Sequence, residues 1–351
     1  MTYVIAHCRA GFEAECGEDL ARVARSAGAD LHRDTDAPPA LLAAQLDRFN
    51  AARWSRALHD RPPIFARSVF VGTGRIALGA ADRIAPIVDA ARELGRSFSE
   101  VWLEMPDSNE GKTLSGLCRR LQPLLEQALR AADILDASRS HARRLHVVLV
   151  ARDAAHLGTS DSRTGSRWPM GIPRLRMPTR APSRSTLKLA EAFVTFLGDD
   201  EPDLVRAGMR AVDLGAAPGG WTWQLAYRGV RVTAVDNAAL QGDVARDSLV
   251  THVRDDGYAY RPRRPVDWMV CDIVDKPSRI AALVARWVAD GQARRCIFNL
   301  KLPMKKRYDE VLRCTGIIEE VLPQQGVRHT LRLKQLYHDR EEVTGYLARA
   351  T

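Results

Sequence analysis

MRAVDLGAAPGGWTWQLAYRG, residues 209–229, decides the fold. An apolar run ends in Asp213, a glycine-rich turn follows, and helical spacing begins near Trp221. Strand, tight turn and helix in that order form the first unit of a doubly wound α/β domain. Gly215, Gly219 and Gly220 remove the side chains that would keep a ligand away from the backbone, and Pro218 stiffens the turn. The spacing is G-x-x-x-G-G, whereas dinucleotide sites use G-x-G-x-x-G, so dinucleotide binding is the weaker reading.

Working downstream, VRVTAVD (230–236) reads as the next strand and ends in Asp236. An acid there can hold both hydroxyls of a ribose. HVRDDG (252–257) puts Asp255 and Asp256 at a third strand end, where a carboxylate can accept from an adenine amino group. Each acid alone is equally an ordinary turn residue. The three in order, behind that glycine loop, look like an S-adenosylmethionine site. Further strands are expected at 266–271 and 295–300, and two more in RHTLRLKQLYHDREEVTGYLAR (328–349). STLKLAEAFVTFL (185–197) reads as a helix in front of the sheet, with Ser185 as its N-cap. The expected architecture is a mostly parallel sheet closed by a hairpin.

The reaction must be read from the fourth strand onward. VDWMVCD ends in Asp272, followed by Ile273-Val274-Asp275. An amino-group methyltransferase would place an Asn/Asp-Pro-Pro-aromatic turn here. A cytosine C5 enzyme needs a nucleophilic thiol, but Cys271 points away from Asp272 by strand alternation and reads as core. CIFNLK ends in Lys301, Lys188 lies on the helix before the sheet, and the last hairpin carries Glu341 and Glu342.

The upstream half alternates strands (3–9, 64–72, 100–105, 143–151) with helices (12–27, 39–58, 82–95, 113–132). This is the pattern of an α+β module. It has no glycine-rich phosphate loop and no convergent acids, so it reads as a binding domain. Residues 158–184 change character: Pro169, Pro173, Pro178 and Pro182 interrupt every possible helix. This stretch is either a solvated spacer or an arm lying along a phosphate backbone.

Charge favours the arm. The 351 residues carry a net +9, and ten arginines against two acids stand between Arg139 and Arg184. That window holds almost all of the excess, and basic segments of this kind meet polyanions. Only seven lysines accompany forty-five arginines, so a retained lysine can mark a place where arginine fails. Three lysines stand together in LKLPMKK, at Lys301, Lys305 and Lys306. Six scattered cysteines without a CxxC suggest a reducing compartment and argue against a disulfide framework or a structural zinc site. The chain shows no membrane-length apolar run and no secretory start. A cytoplasmic monomer without a metal is the expectation.

Lys188, Asp272, Lys301 and Glu342 match the Lys-Asp-Lys-Glu tetrad of the FtsJ-like RNA ribose 2′-O-methyltransferases, and DLGAAPGGW matches their cofactor loop. MGIPRLRMPTRAPSRSTLKL, WMVCDIVDKP, IFNLKLPMKKRYDEV and LYHDREEVT more narrowly resemble the ribosomal RNA large subunit methyltransferase M family. CRAGFEAEC, IFARSVFV and DRIAPIV extend the resemblance over nearly the whole chain. It implies a ferredoxin-like part over 1–60, a THUMP-type RNA-binding domain over 61–157, a linker over 158–184, and a Rossmann-like class I methyltransferase domain over 185–351. It also implies S-adenosylmethionine as cofactor and a cytidine of 23S ribosomal RNA as substrate, methylated on the ribose. By resemblance Ser185, Ala217, Pro218, Gly219, Gly220, Asp236, Asp256 and Asp272 contact the cofactor, and Lys301 accepts the proton. Glu342 rather than Glu341 fits the fourth tetrad position, directly before Val343. Arg174, Arg176, Arg180 and Arg184 are the candidate RNA contacts of the arm. A different-class alternative is a non-catalytic RNA-binding or ribosome-assembly protein on a methyltransferase scaffold.

Overall fold

The structure, a computed structural model, describes residues 1–95, 97–136 and 143–350. Arg139, where the arginine-rich window opens, and Thr351 lie outside the described residues. The chain forms two compact units, Met1–Pro173 and Arg174–Thr351.

The first unit is built from β1 (Thr2–His7), α1 (Glu13–Ser26), β2 (Asp30–Arg33), β3 (Leu41–Asp47), α2 (Ala51–Asp60), β4 (Ser68–Ala77), α3 (Ile84–Leu94), β5 (Glu100–Glu104), α4 (Asn109–Lys112), α5 (Ser115–Ala131), β6 (Arg143–Ala151) and β7 (Ala154–Asp161). Its strands form one sheet in the order β2-β3-β1-β4-β7-β6-β5. Ile87 and Ala91 of α3 and Leu125 and Leu129 of α5 pack in one cluster with Leu145, Val147 and Leu149 of β6.

Three expectations fail here. The helix expected over 39–58 is strand β3, a break and then α2. Leu and Ala favour helices in isolation, but LLAA is buried between β1 and β2, and tertiary burial overrides propensity. A helix begins only at Asn50, whose side chain accepts from Arg53 N at 3.0 Å. The strand at 143–151 does not close the region, and 158–184 is not all linker: β7 follows after a two-residue turn and pairs with both β6 and β4. The boundary expected after residue 60 falls inside one sheet, because β1 pairs with β4 from Tyr3↔Gly72 to His7↔Ser68.

The second unit contains α6 (Thr186–Phe196), α7 (Glu201–Leu204), β8 (Arg210–Leu214), α8 (Gly220–Tyr227), β9 (Arg231–Val235), β10 (Val250–Val253), β11 (Val266–Cys271), α9 (Pro277–Ala289), β12 (Ala293–Lys301), α10 (Arg307–Gln324), β13 (His329–Lys334) and β14 (Glu342–Arg349). The sheet order is β10-β9-β8-β11-β12-β14-β13. The first five strands are parallel, and β14 and β13 close the sheet antiparallel, as the sequence implies. Alternation along β11 divides the core: Trp268 and Val270 pack with α6 and α8, and Met269 and Cys271 with α9 and α10. All the chemistry-bearing strand ends therefore leave the sheet at one edge, where doubly wound folds bind ligands.

Candidate active site

The loop after β8 is shaped by its glycines. Gly215 (φ +76) lies against Ile273, and a Cβ on it would stand 2.8 Å from the Ile273 side chain. Gly219 (φ +116) opens α8, and a Cβ there would meet Val244 at 2.6 Å. A Cβ on Gly220 would collide with the hydroxyls of Ser185 and Ser183. Ser185 and the glycine turn thus come together as the sequence implies, but not through a cap. Ser185 has helical backbone angles, and its hydroxyl pairs with Ser183 Oγ at 2.7 Å. The N–H groups of Thr186, Leu187 and Lys188 already bond back to the carbonyls of residues 183–185, so no capping side chain is needed.

Asp213 is fully buried at the end of β8. Thr222 Oγ1 donates to its Oδ2 at 2.6 Å, while Oδ1 has no hydrogen-bond partner among the described residues. Burial pushes this carboxyl up to about 7 against the opposing Thr222 bond. Asp236 accepts from Ala217 N at 2.9 Å and from Ala238 N at 2.8 Å, which ties the turn at Ala217-Pro218 to the next strand end. Each carboxylate oxygen keeps a further lone pair for a ligand hydroxyl. Asp256 is exposed and accepts from Tyr258 N at 2.9 Å, and Gly257 beside it packs on Ile273 and Leu214. A tight glycine cradle, an orphaned buried carboxylate oxygen and a half-buried acid at the neighbouring strand end are a donor set that fits an S-adenosylmethionine molecule.

The tetrad converges from four elements: Lys188 on α6, Asp272 just past β11, Lys301 ending β12 and Glu342 starting β14. Lys301 Nζ donates to Asp272 Oδ1 at 2.5 Å and to Glu342 Oε2. Lys188 Nζ pairs with Glu342 Oε1 and lies 3.9 Å from Asp272 Oδ2. The result is a ring of alternating charge with no net excess. Burial pushes the Lys301 ammonium down, but Asp272 and Glu342 outweigh it and hold its pKa above the ordinary value. Burial raises the Glu342 carboxyl, and the two lysines more than reverse this, so Glu342 is held below the usual range. Glu341 instead points outward and pairs with Arg307 at 3.0 Å.

Sequence reading missed the row behind the tetrad. Asn299 Nδ2 donates to Asp272 Oδ1 at 2.9 Å, and Thr344 Oγ1 lies 2.7 Å from Asn299 Oδ1. Asn299 stands two residues before Lys301 and Thr344 two after Glu342, so period-two alternation on β12 and β14 was the available signal. Cys271 is buried, with its thiol pushed up to about 12 by burial, in the core as expected. Among the described residues no group of three His, Cys, Asp or Glu side chains is placed to hold a metal ion, and no helix is long and apolar enough to cross a membrane.

Arg174, Arg176, Arg180 and Arg184 are all exposed. Arg176 and Arg180 line a cavity of about 440 Å³ with Leu175, Leu187, Trp223 and Tyr227. The rings of Trp223 and Tyr227 stack there at 4.9 Å. Arg180 lies 3.8 Å from Asp243 with both side chains in solvent, so the pair binds weakly.

Residues 82–161 match the family described as "Ribosomal RNA large subunit methyltransferase M, N-terminal", and residues 181–297 match "FtsJ-like methyltransferase". Over 348 residues the chain is 49% identical to the "Ribosomal RNA large subunit methyltransferase M" of Methylococcus capsulatus, covering 98% of this chain and 97% of that one. It is 48% identical over 349 residues to the protein of the same name from Azoarcus sp., covering 98% and 95%. A third, from Cellvibrio japonicus, is 46% identical over 350 residues and 99% of both chains.

Proposed function

The chain belongs to the ribosomal RNA large subunit methyltransferase M family, and from that premise we propose that it methylates the ribose 2′-hydroxyl of a specific cytidine in 23S ribosomal RNA. S-adenosylmethionine supplies the methyl group on a cationic sulfur, a leaving group that needs no acid. The observation that carries the reading is the convergence of Lys188, Asp272, Lys301 and Glu342 from four elements beside the glycine loop. A ribose hydroxyl is a poor nucleophile, so a base must take its proton as the methyl transfers. Neutral Lys301 takes that proton on Nζ. Glu342 and Asp272 fix the amine, and Lys188 supplies a lasting positive charge next to them.

Ser185, Ala217 to Gly220, Asp236, Asp256 and Asp272 hold the cofactor in this reading, with Asp236 taking the ribose hydroxyls. The buried thiol of Cys271 and the turn Asp272-Ile273-Val274-Asp275 both disfavour base methylation. The THUMP-type N-terminal region and Arg174, Arg176, Arg180 and Arg184 engage the RNA backbone, in the cytoplasm. The test is methyl transfer from labelled cofactor to protein-free large-subunit ribosomal RNA, followed by nucleoside analysis. The expected product is 2′-O-methylcytidine. A methylated base, or no transfer, overturns the reading.

A further inference from the structure

The β12–β14 register sets Lys301 opposite Glu342 and Asn299 opposite Thr344. The two pairs share one face of the sheet. Asn299 is fully buried. Its Nδ2 donates to Asp272 Oδ1 at 2.9 Å and lies 3.5 Å from Glu342 Oε2. These are the same two oxygens that hold Lys301 Nζ. Behind Asn299, Thr344 Oγ1 lies 2.7 Å from Asn299 Oδ1 and 3.1 and 2.9 Å from the Asp339 oxygens.

Counting protons fixes the direction of every bond in this row. Ionised Asp272 and Glu342 only accept, so the amide nitrogen of Asn299 must face them and its oxygen must face Thr344. That oxygen only accepts, so it takes the single hydroxyl proton of Thr344. Thr344 must then accept from Asp339, which requires a protonated Asp339. Asp339 Oδ2 accepts from Leu336 N at 2.9 Å, which leaves Oδ1 to carry the proton. Burial, reinforced by Glu342 and Glu191, pushes the Asp339 carboxyl well above its usual range, in agreement with the count.

We propose that Asn299 is a positioning residue that loosens the grip of Asp272 and Glu342 on the Lys301 proton, and that Thr344 and Asp339 lock its amide in the orientation that does so. The proposal rests on Lys301 being the general base. An N–H donated to a carboxylate draws on the charge that would otherwise hold the ammonium. The charged groups around Lys301 are Asp272 from the β11 end, Glu342 from β14 and Lys188 from α6. Behind them the charge of Asp272 reaches Asp213 of β8, and Glu191 of α6, paired with His338, acts on Asp339. Substituting Asn299 leaves all of these in place.

The test is the single-turnover rate of ribosomal RNA methylation from about pH 6 to 10, for the wild type and four variants. With the cationic methyl donor bound, which favours the neutral form of Lys301, the wild-type rate should climb with pH and level off within this range. Asn299→Leu should move the midpoint up by about one pH unit, so the rate is about tenfold lower on the rising limb and converges with wild type at the plateau. Thr344→Val frees the amide to turn and should shift the midpoint the same way; it serves if the leucine variant does not fold. Asp339→Asn can donate to Thr344 and accept from Leu336, so its profile should overlie wild type, whereas Asp339→Leu should shift. An unmoved midpoint in both Asn299→Leu and Thr344→Val, or an equal loss at every pH, overturns the proposal. A wild-type rate flat in pH overturns the general-base reading itself, which separates the two failures.

Discussion

Lys301→Arg keeps the positive charge and removes the ability to hold and release a proton near neutrality. Lys301 Nζ faces Asp272 Oδ1 and Glu342 Oε2, and a guanidinium can donate to both, so the ring of charge persists. The lysine side chain is 21% exposed, which leaves room toward solvent for the larger group. The loss follows from proton availability. At pH 8 a lysine of ordinary pKa, about 10.4, is neutral roughly once in 250 molecules; an arginine, whose pKa lies well above that, is neutral some 10²–10³ times less often. The carboxylates hold Lys301 above its ordinary value in the protein alone, against the opposing push of burial, so the wild-type rate should itself climb steeply with pH. The expected result is a single-turnover rate lower by about 10²–10⁴, the usual worth of a positioned base, with cofactor and RNA affinities near wild type. The assay is rapid-mix methylation of ribosomal RNA across pH, beside calorimetric binding curves for both proteins. An arginine variant within about tenfold of wild type, with the same pH dependence, would refute the assignment and move attention to Lys188 or solvent.

Asp236→Ala should weaken S-adenosylmethionine binding by about 1.5–3 kcal/mol, the scale of hydrogen bonds to a charged group; calorimetry showing unchanged affinity removes Asp236 from the site. Reversing Arg174, Arg176, Arg180 and Arg184 to glutamate should weaken RNA binding and flatten its dependence on salt, and an unaltered slope in a titration series would make the segment a spacer. Asp213 is held at about 7, chiefly by burial, against 3.8 when unfolded, so between those values the folded chain binds more protons and stability falls as pH rises. Asp213→Asn should remove that fall and gain on wild type by on the order of a few kcal/mol between about pH 4 and 8, measured by thermal melting; identical pH trends would refute it.

The tetrad was legible because each member ends or begins an apolar run, or sits on the helix that covers the sheet, and its residue type carries chemistry. Glu342 against Glu341 needed the register: Lys301↔Glu342 is a cross-strand pair, whereas Glu341 turns out to Arg307. The supporting row was hidden because Asn299 and Thr344 are unremarkable inside strands until their phase with Lys301 and Glu342 is counted. Strand β3 was hidden because its Leu and Ala residues favour helices, and only its neighbours β1 and β2 make it extended. Prolines and arginines made 158–184 look like one spacer. Its first residues finish β7, and from Arg174 it belongs to the second unit, where Leu175 and Pro178 line a cavity with Leu187 of α6 and Trp223 of α8.

In the proposed reaction Lys301 gives up its proton, and the wiring of the tetrad keeps both carboxylates partnered when it does. A buried carboxylate stripped of its partner is costly, so a deprotonation is tolerable only if both carboxylates keep another one. Glu342 holds Lys301 through Oε2 and Lys188 through Oε1. When Lys301 becomes neutral, Glu342 therefore still faces an ammonium. Asp272 keeps the Asn299 amide at 2.9 Å, with Lys188 at 3.9 Å. Neither acid is left bare. The ring has no net charge with both lysines protonated, so a neutral Lys301 leaves it one charge negative. Beside a cationic methyl donor that deficit is offset, and Lys301 becomes a stronger candidate for the neutral form when the donor is bound than in the protein alone.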